Sequence, residues 1–160
     1  GTLHIGSNTD IGAQLFPSLV QTFKTSHPGV EVQAAIDRTE KLEELLLDNK
    51  LDIALIEGQP SNKFITSQKF FHNSLVFVCA PEHPWAGQII PKENLNHQDF
   101  LMREKNSSQR RLLEEFFQLE NIHVNVVWES LSPESLLNGA ARGLRRFLLI
   151  GLNFTQEDAP

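Results

Sequence analysis

A single cysteine, Cys79, stands in 160 residues. One thiol cannot close an internal disulfide or build a thiolate metal cage. Its place in the apolar run Leu75-Val76-Phe77-Val78-Cys79-Ala80 reads as a buried, unreactive side chain, with a redox sensor as the alternative. Such sparing use fits a reducing, cytoplasmic setting. Long apolar runs are also missing: none approaches the roughly 20 residues that a membrane span needs. The opening Gly1-Thr2-Leu3-His4-Ile5 reads as a strand and not as a signal peptide, so a start at a domain boundary is expected. Basic runs are short as well. The longest are the pairs Arg110-Arg111 and Arg145-Arg146, in a chain of formal net charge −6. A domain that grips nucleic acid normally presents a basic face to the phosphates, so this stretch is not expected to touch DNA itself.

Catalytic and metal-binding patterns are lacking too. There is no Gly-x-Ser-x-Gly elbow, phosphate loop, His-Glu-x-x-His or Cys-x-x-Cys. The six histidines, His4, His27, His72, His83, His97 and His123, include no two at helical ligand spacing and read as surface or turn residues. Glu43-Glu44 and Glu114-Glu115 are adjacent, so each pair diverges around its helix and reads as a solvated face. A small α/β enzyme would require a nucleophile–base pair, and none is recognisable. Neither enzymatic activity, a cofactor nor a metal is expected.

What is present is regular patterning. With 40% hydrophobic and 21% charged residues the chain can bury a core, as one domain or two small lobes. Leu3-His4-Ile5 alternates as a strand. Ile11, Leu15, Leu19, Val20 and Phe23 then recur at helical spacing, with Pro17 predicting a bend or a new first turn. Val30 to Ala34 reads as a strand, Leu42 to about Asp48 as a helix, and Leu51 to Ile56 as a strand apolar enough to be buried on both faces. That order predicts a parallel α/β sheet. Ile65 to Phe71 reads as a short extended piece and Leu75 to Ala80 as a strand. Beyond Ala80 the texture changes, which suggests lobes over 1–79 and 80–160. Strands at Phe100-Leu101-Met102 and Val124 to Trp128 flank a helix carrying Leu112, Leu113, Phe116 and Phe117. Ser132-Pro133-Glu134 opens another helix, and Phe147 to Ile150 reads as one more strand.

Three polar loops follow strands and open helices: Ser7-Asn8-Thr9-Asp10, Asp37-Arg38-Thr39 and Asn106-Ser107-Ser108. Ligands of open α/β sheets bind outside the carboxyl ends of the strands. Free helix N-terminal N–H groups and short hydroxyl side chains there can hold a small polar molecule. The alternative is that each hydroxyl only caps its own helix.

The ordered set Gly1-Thr2-Leu3-His4-Ile5-Gly6-Ser7, Ile11-Gly12, Leu15-Phe16-Pro17, Phe23, His27-Pro28-Gly29-Val30, Leu51-Asp52-Ile53-Ala54-Leu55-Ile56-Glu57-Gly58, Pro81-Glu82-His83-Pro84, Arg103-Glu104-Lys105-Asn106-Ser107-Ser108-Gln109-Arg110 and Glu129-Ser130-Leu131-Ser132-Pro133-Glu134 resembles the effector-binding domain of LysR-type transcription regulators. The resemblance covers residues 1 to 144. It implies a type II periplasmic-binding-protein-like α/β fold, two lobes with an interlobe cleft, and a small-molecule co-inducer bound there. The co-inducer would change how subunits of a homodimer or tetramer pack, and so alter the DNA contact of an N-terminal winged helix-turn-helix. Carried over position by position, it implies ligand contacts at Ser7, Asn8, Thr9, Thr39, Asn106, Ser107, Ser108, Ser130 and Ser132. Arg145-Arg146 depart from the family's small apolar run, and the return segment to the first lobe is expected to be missing after Pro160. A solute-binding protein of a transporter shares this fold and remains the alternative; an upstream signal peptide or lipid anchor would mark it.

Overall fold

Stretches that alternate form strands, stretches with helical period form helices, and the turns fall at the Gly and Pro clusters between them. The computed structural model describes residues 1–72 and 74–143, and the backbone of Leu148–Asn153. Arg145, Arg146 and Phe147, expected to carry a family departure and a strand start, lie outside the described residues. The chain divides into two compact units, the first being Gly1–His72 and the second reaching Asn153.

The first unit holds β1 (Thr2–Ser7), α1 (Thr9–Gln14), α2 (Phe16–Ser26), β2 (Glu31–Ile36), α3 (Thr39–Leu47) and β3 (Ile53–Leu55). Its three strands are parallel in the order β2-β1-β3. The bend foreseen at Pro17 is a break between two helices. Pro17 sits in the first turn of α2, where a missing N–H leaves no bond unmade. Ile5, Ile11, Phe16, Leu42 and Leu51 form the buried apolar interior. A Cβ on Gly6 would stand 2.7 Å from both Leu42 Cδ2 and Leu51 Cδ1, so the bare backbone there lets both leucines close on the sheet. The third strand is shorter than the sequence suggests and is not buried on both faces, since Ile53 is 50% exposed. Among the described residues β3 pairs with β1 alone and so lies at an edge of the sheet. From residue 56 to residue 72 no helix or strand forms, including the stretch Ile65–Phe71.

The second unit holds β4 (Ser74–Val78), a 3-10 turn at Lys92–Leu95, β5 (Asp99–Arg103), α4 (Ser108–Leu119), β6 (Asn125–Ser130), α5 (Pro133–Ala141) and β7 (Leu148–Asn153). The strand order is β4-β7-β5-β6; β5 runs parallel to β6 and β7, and β4 antiparallel to β7. This pairing places β4 in the second unit, ahead of the change of texture at Ala80. Strand β5 is buried on both faces. Phe100 and Met102 pack with Leu95, Leu113, Phe117 and Ile122, while Leu101 packs with Leu136 and Ala140. Phe100 meets Phe117 edge-on at 5.5 Å between ring centroids and Phe77 at 6.0 Å, a favoured geometry for aromatic pairs.

Phe100 has no exposed surface. Phe100→Ala should therefore cost about 3–5 kcal/mol through lost burial and the cavity left behind. Urea unfolding followed by tryptophan fluorescence checks this, because Trp85 and Trp128 both lie in the second unit.

Candidate functional site

In the first unit the parallel strands deliver three loops to one edge. Ser7, the last residue of β1, lies level with Ile36 of β2 and Leu55 of β3. The next residue, Asn8, ties the three connections together. Its backbone N–H donates to the Leu55 carbonyl at 3.2 Å. Its side-chain Nδ2 donates to the Asp37 carbonyl at 3.3 Å and to Thr39 Oγ1 at 3.1 Å. Its Oδ1 accepts the Glu57 backbone N–H at 2.8 Å and the Thr39 hydroxyl at 3.4 Å. Ser7 is fully buried and donates through Oγ to the Asn8 carbonyl at 3.1 Å. Thr9 is exposed at the start of α1, and Asp10 is buried in the same turn.

In the second unit β5 and β6 end side by side, with Arg103 level with Ser130. The Glu104 N–H donates to the Ser130 carbonyl at 3.1 Å. Ser107 caps α4, accepting the Arg110 N–H on its hydroxyl at 2.9 Å. Ser132 caps α5, accepting the Ser135 N–H at 3.2 Å, and Ser130 Oγ accepts the Ser132 N–H at 3.0 Å. Arg110 is 5% exposed and holds the group together. Its guanidinium donates to the Arg103 carbonyl at 2.8 Å, to Glu129 at 3.2 Å and to Glu114 at 2.7 Å. Charge-assisted bonds of this kind are among the stronger ones available.

The structure thus gathers Ser7, Asn8, Thr9 and Thr39 at one edge of the first sheet, and Asn106, Ser107, Ser108, Ser130 and Ser132 beside two strand ends of the second. Asn106, Thr9 and Ser132 are exposed, Ser108 and Ser130 half-buried, and Ser7, Asn8, Thr39 and Ser107 buried. The capping role expected for the hydroxyls is realised at Ser107 and Ser132, whereas Asn8 opens α1 without a side-chain cap bond and turns its amide to Thr39, Asp37 and Glu57.

Sequence reasoning missed Arg110 and Glu43. Arg110 was half of a basic pair, yet it lies three and seven residues before Leu113 and Phe117 on the buried face of α4. Glu43 was expected on a solvated face with Glu44; it is 6% exposed, and its carboxylate accepts bonds from Ser61 and Asn62. Its spacing of four from Thr39, on the face that buries Leu42, was the available signal. Cys79, expected to be buried, is half-buried, and that partial burial pushes its thiol up, which lowers its thiolate fraction. Among the described residues no group of three or more His, Cys, Asp or Glu could hold a metal ion.

The two α/β units have the type II periplasmic-binding-protein-like fold. The family model of the LysR substrate binding domain matches residues 1–149, and the chain belongs to that family. Relatives include the HTH-type transcriptional activator CmpR of Synechocystis sp., 30% identical over 145 residues, which cover 90% of this chain and 47% of that protein. A probable RuBisCO transcriptional regulator of Trieres chinensis is 26% identical over 153 residues, which cover 90% of this chain and 50% of that protein. The chain spans about half the length of the curated relatives it matches. Among solved structures, the Synechocystis PCC6803 CcmR regulatory domain in complex with 2-PG matches with a TM-score of 0.85 and 25% identity, covering 99% of this chain and 78% of that one. These relatives are regulators, not enzymes, which favours a sensor over the transport alternative.

Asn8→Ala should cost about 1–3 kcal/mol, because it removes the acceptor of the Glu57 backbone N–H and a partner of the buried Thr39 hydroxyl. Urea unfolding followed by circular dichroism measures the loss; an unchanged midpoint would show that water replaces the amide without penalty.

Proposed function

We propose that this chain is the sensor portion of a transcription regulator, and that its effector is a small polar molecule held by the hydroxyl and N–H groups of the two carboxyl edges. The observation that carries it is the construction of those edges. Ser107 and Ser132 open helices beside paired strand ends, and the first turn of a helix offers N–H groups that lack partners within the helix. Thr9 and Asn106 add exposed polar side chains. The 2-PG named for the CcmR regulatory domain supplies a probe. An effector acts by binding one arrangement of the protein more tightly than another. DNA contact belongs to a winged helix-turn-helix outside these 160 residues, in keeping with the net charge of −6 and with the similarity to CmpR, an HTH-type transcriptional activator. Under this reading the chain works in the cytoplasm. Among the described residues, no helix is long and apolar enough to cross a membrane.

The subunits pair as a homodimer, or as a tetramer of two such pairs, with α2 and β2 of one against the second unit of its mate. Two surfaces support this. Strand β2 is an edge strand with Ile36 47% exposed, and Leu15 ahead of α2 and Leu19, Val20 and Phe23 within it are only half-buried. Strand β6 is the other edge, exposing Val126, Val127 and Trp128. Beside it an open cavity of about 410 Å3 is lined by apolar residues such as Met102, Phe117 and Val124 and by polar ones such as Glu114, Gln118 and His123. Exposed apolar side chains beside a strand edge are what an interface covers.

With 2-PG at a hundred times its dissociation constant, the chain should be stabilised by about 2.7 kcal/mol. A thermal-shift titration reads this, and Ser107→Ala or Thr9→Ala should weaken it. A variant that binds as tightly as wild type would remove its residue from the site. Val127→Lys should shift sedimentation velocity profiles toward the monomer, and an unchanged profile would place the interface elsewhere.

A further inference from the structure

The structure assigns Glu43 the role of a positioning residue for the polar edge of the first unit. It acts through the loop that leaves β3. Helix α3 buries three side chains: Thr39, Leu42 and Glu43. Thr39 and Glu43 are one turn apart, so they face the same way. Thr39 meets the Asn8 amide at 3.1 Å, and Asn8 Oδ1 accepts the Glu57 N–H at 2.8 Å. One turn further along, the Glu43 carboxylate accepts the Ser61 N–H at 2.7 Å, the Ser61 hydroxyl at 2.8 Å and the Asn62 N–H at 3.2 Å.

The segment from Glu57 to Ser61 is therefore clamped at both ends by groups that α3 supports. Between the clamps Gly58 adopts φ +77°, a left-handed conformation that a side chain would strain. A five-residue span pinned at each end cannot move at one end without loading the other. Releasing Ser61 and Asn62 frees the chain to pull the Glu57 N–H from Asn8. That would let the Asn8 amide swing away from Thr39 and from the carboxyl edge it organises. A carboxylate is suited to this task, because its acceptor-only oxygens can take all three donors, and bonds to an ionised acceptor are shorter and stronger than neutral ones.

The test is amide exchange read by NMR on the 160-residue chain, without ligand. Glu43→Ala should raise exchange at Ser61, Asn62 and Glu57 by at least about tenfold, the scale set by losing bonds to a charged group. The amides of Leu3 and Gln33, in the β1–β2 ladder, should keep their wild-type protection. An unchanged Glu57 amide overturns the inference, and so does a uniform rise across β1 and β2, which is what mere loss of global stability produces. If Glu43→Ala does not fold, Ser61→Ala, which removes one of the three bonds and no packed group, decides by the same pattern at smaller amplitude. An affinity arm rests on the effector role proposed above: where wild type binds 2-PG, Glu43→Ala should weaken it by about tenfold with β1–β2 protection intact. Wild type that fails to bind 2-PG counts against 2-PG as effector, while the exchange pattern still decides the role of Glu43.

Discussion

A parallel sheet sends every strand out through the same edge, where backbone groups leave the ladder and must find other partners. In this chain that obligation falls hardest on the first unit, where three strands end together at Ser7, Ile36 and Leu55. The Asn8 amide meets it by offering donors to one connection and an acceptor to another. The second unit solves the same problem with a charge. Arg110 reaches back from α4 to the Arg103 carbonyl, while carboxylates on α4 and β6 balance it. In both cases the groups that finish the sheet also make the surface polar. Structural necessity and the ability to hold a polar molecule arise from the same few residues.

This overlap explains what was legible from sequence. Element order, the parallel first sheet, the helix break at Pro17 and the Ser132 start of α5 follow from period and capping chemistry, which are local. The loops carrying Ser7 and Thr39 in one unit and Ser107 in the other were legible because parallel strands bring the loops that follow them to the carboxyl edge of their own sheet. Arg110 and Glu43 were not found, because charge suggested solvent while their position on a helical face pointed inward; the inward position prevailed once partners were available. The exposed side of β3 was also hidden, since an apolar run does not reveal whether a strand is central or at an edge. The pairing of β4 across to β7 depends on contacts far apart in the chain, which no local pattern encodes.

The two units use their interiors differently. In the second, β5 is covered on both faces, with aromatic rings on one side and small and branched side chains on the other. That double cover fixes the strand whose end carries Arg103 and the loop to Ser107. In the first, the interior is a handful of aliphatic groups with Phe16, packed close through the bare backbone at Gly6. Its edge consequently relies more on hydrogen bonds, and polar substitutions there have more to disturb.

Strand β7 lies between β4 and β5, so the middle of the second sheet is supplied by its latest strand in sequence, with Ser74 facing Asn153. A ribosome delivers β1, β2 and β3 within the first 55 residues, and that sheet can close early. The other sheet must wait with two strand flanks bare until residue 153 has emerged. During synthesis, the half-built second unit is the vulnerable one, presenting open apolar strand edges to chaperones or to a neighbouring nascent chain.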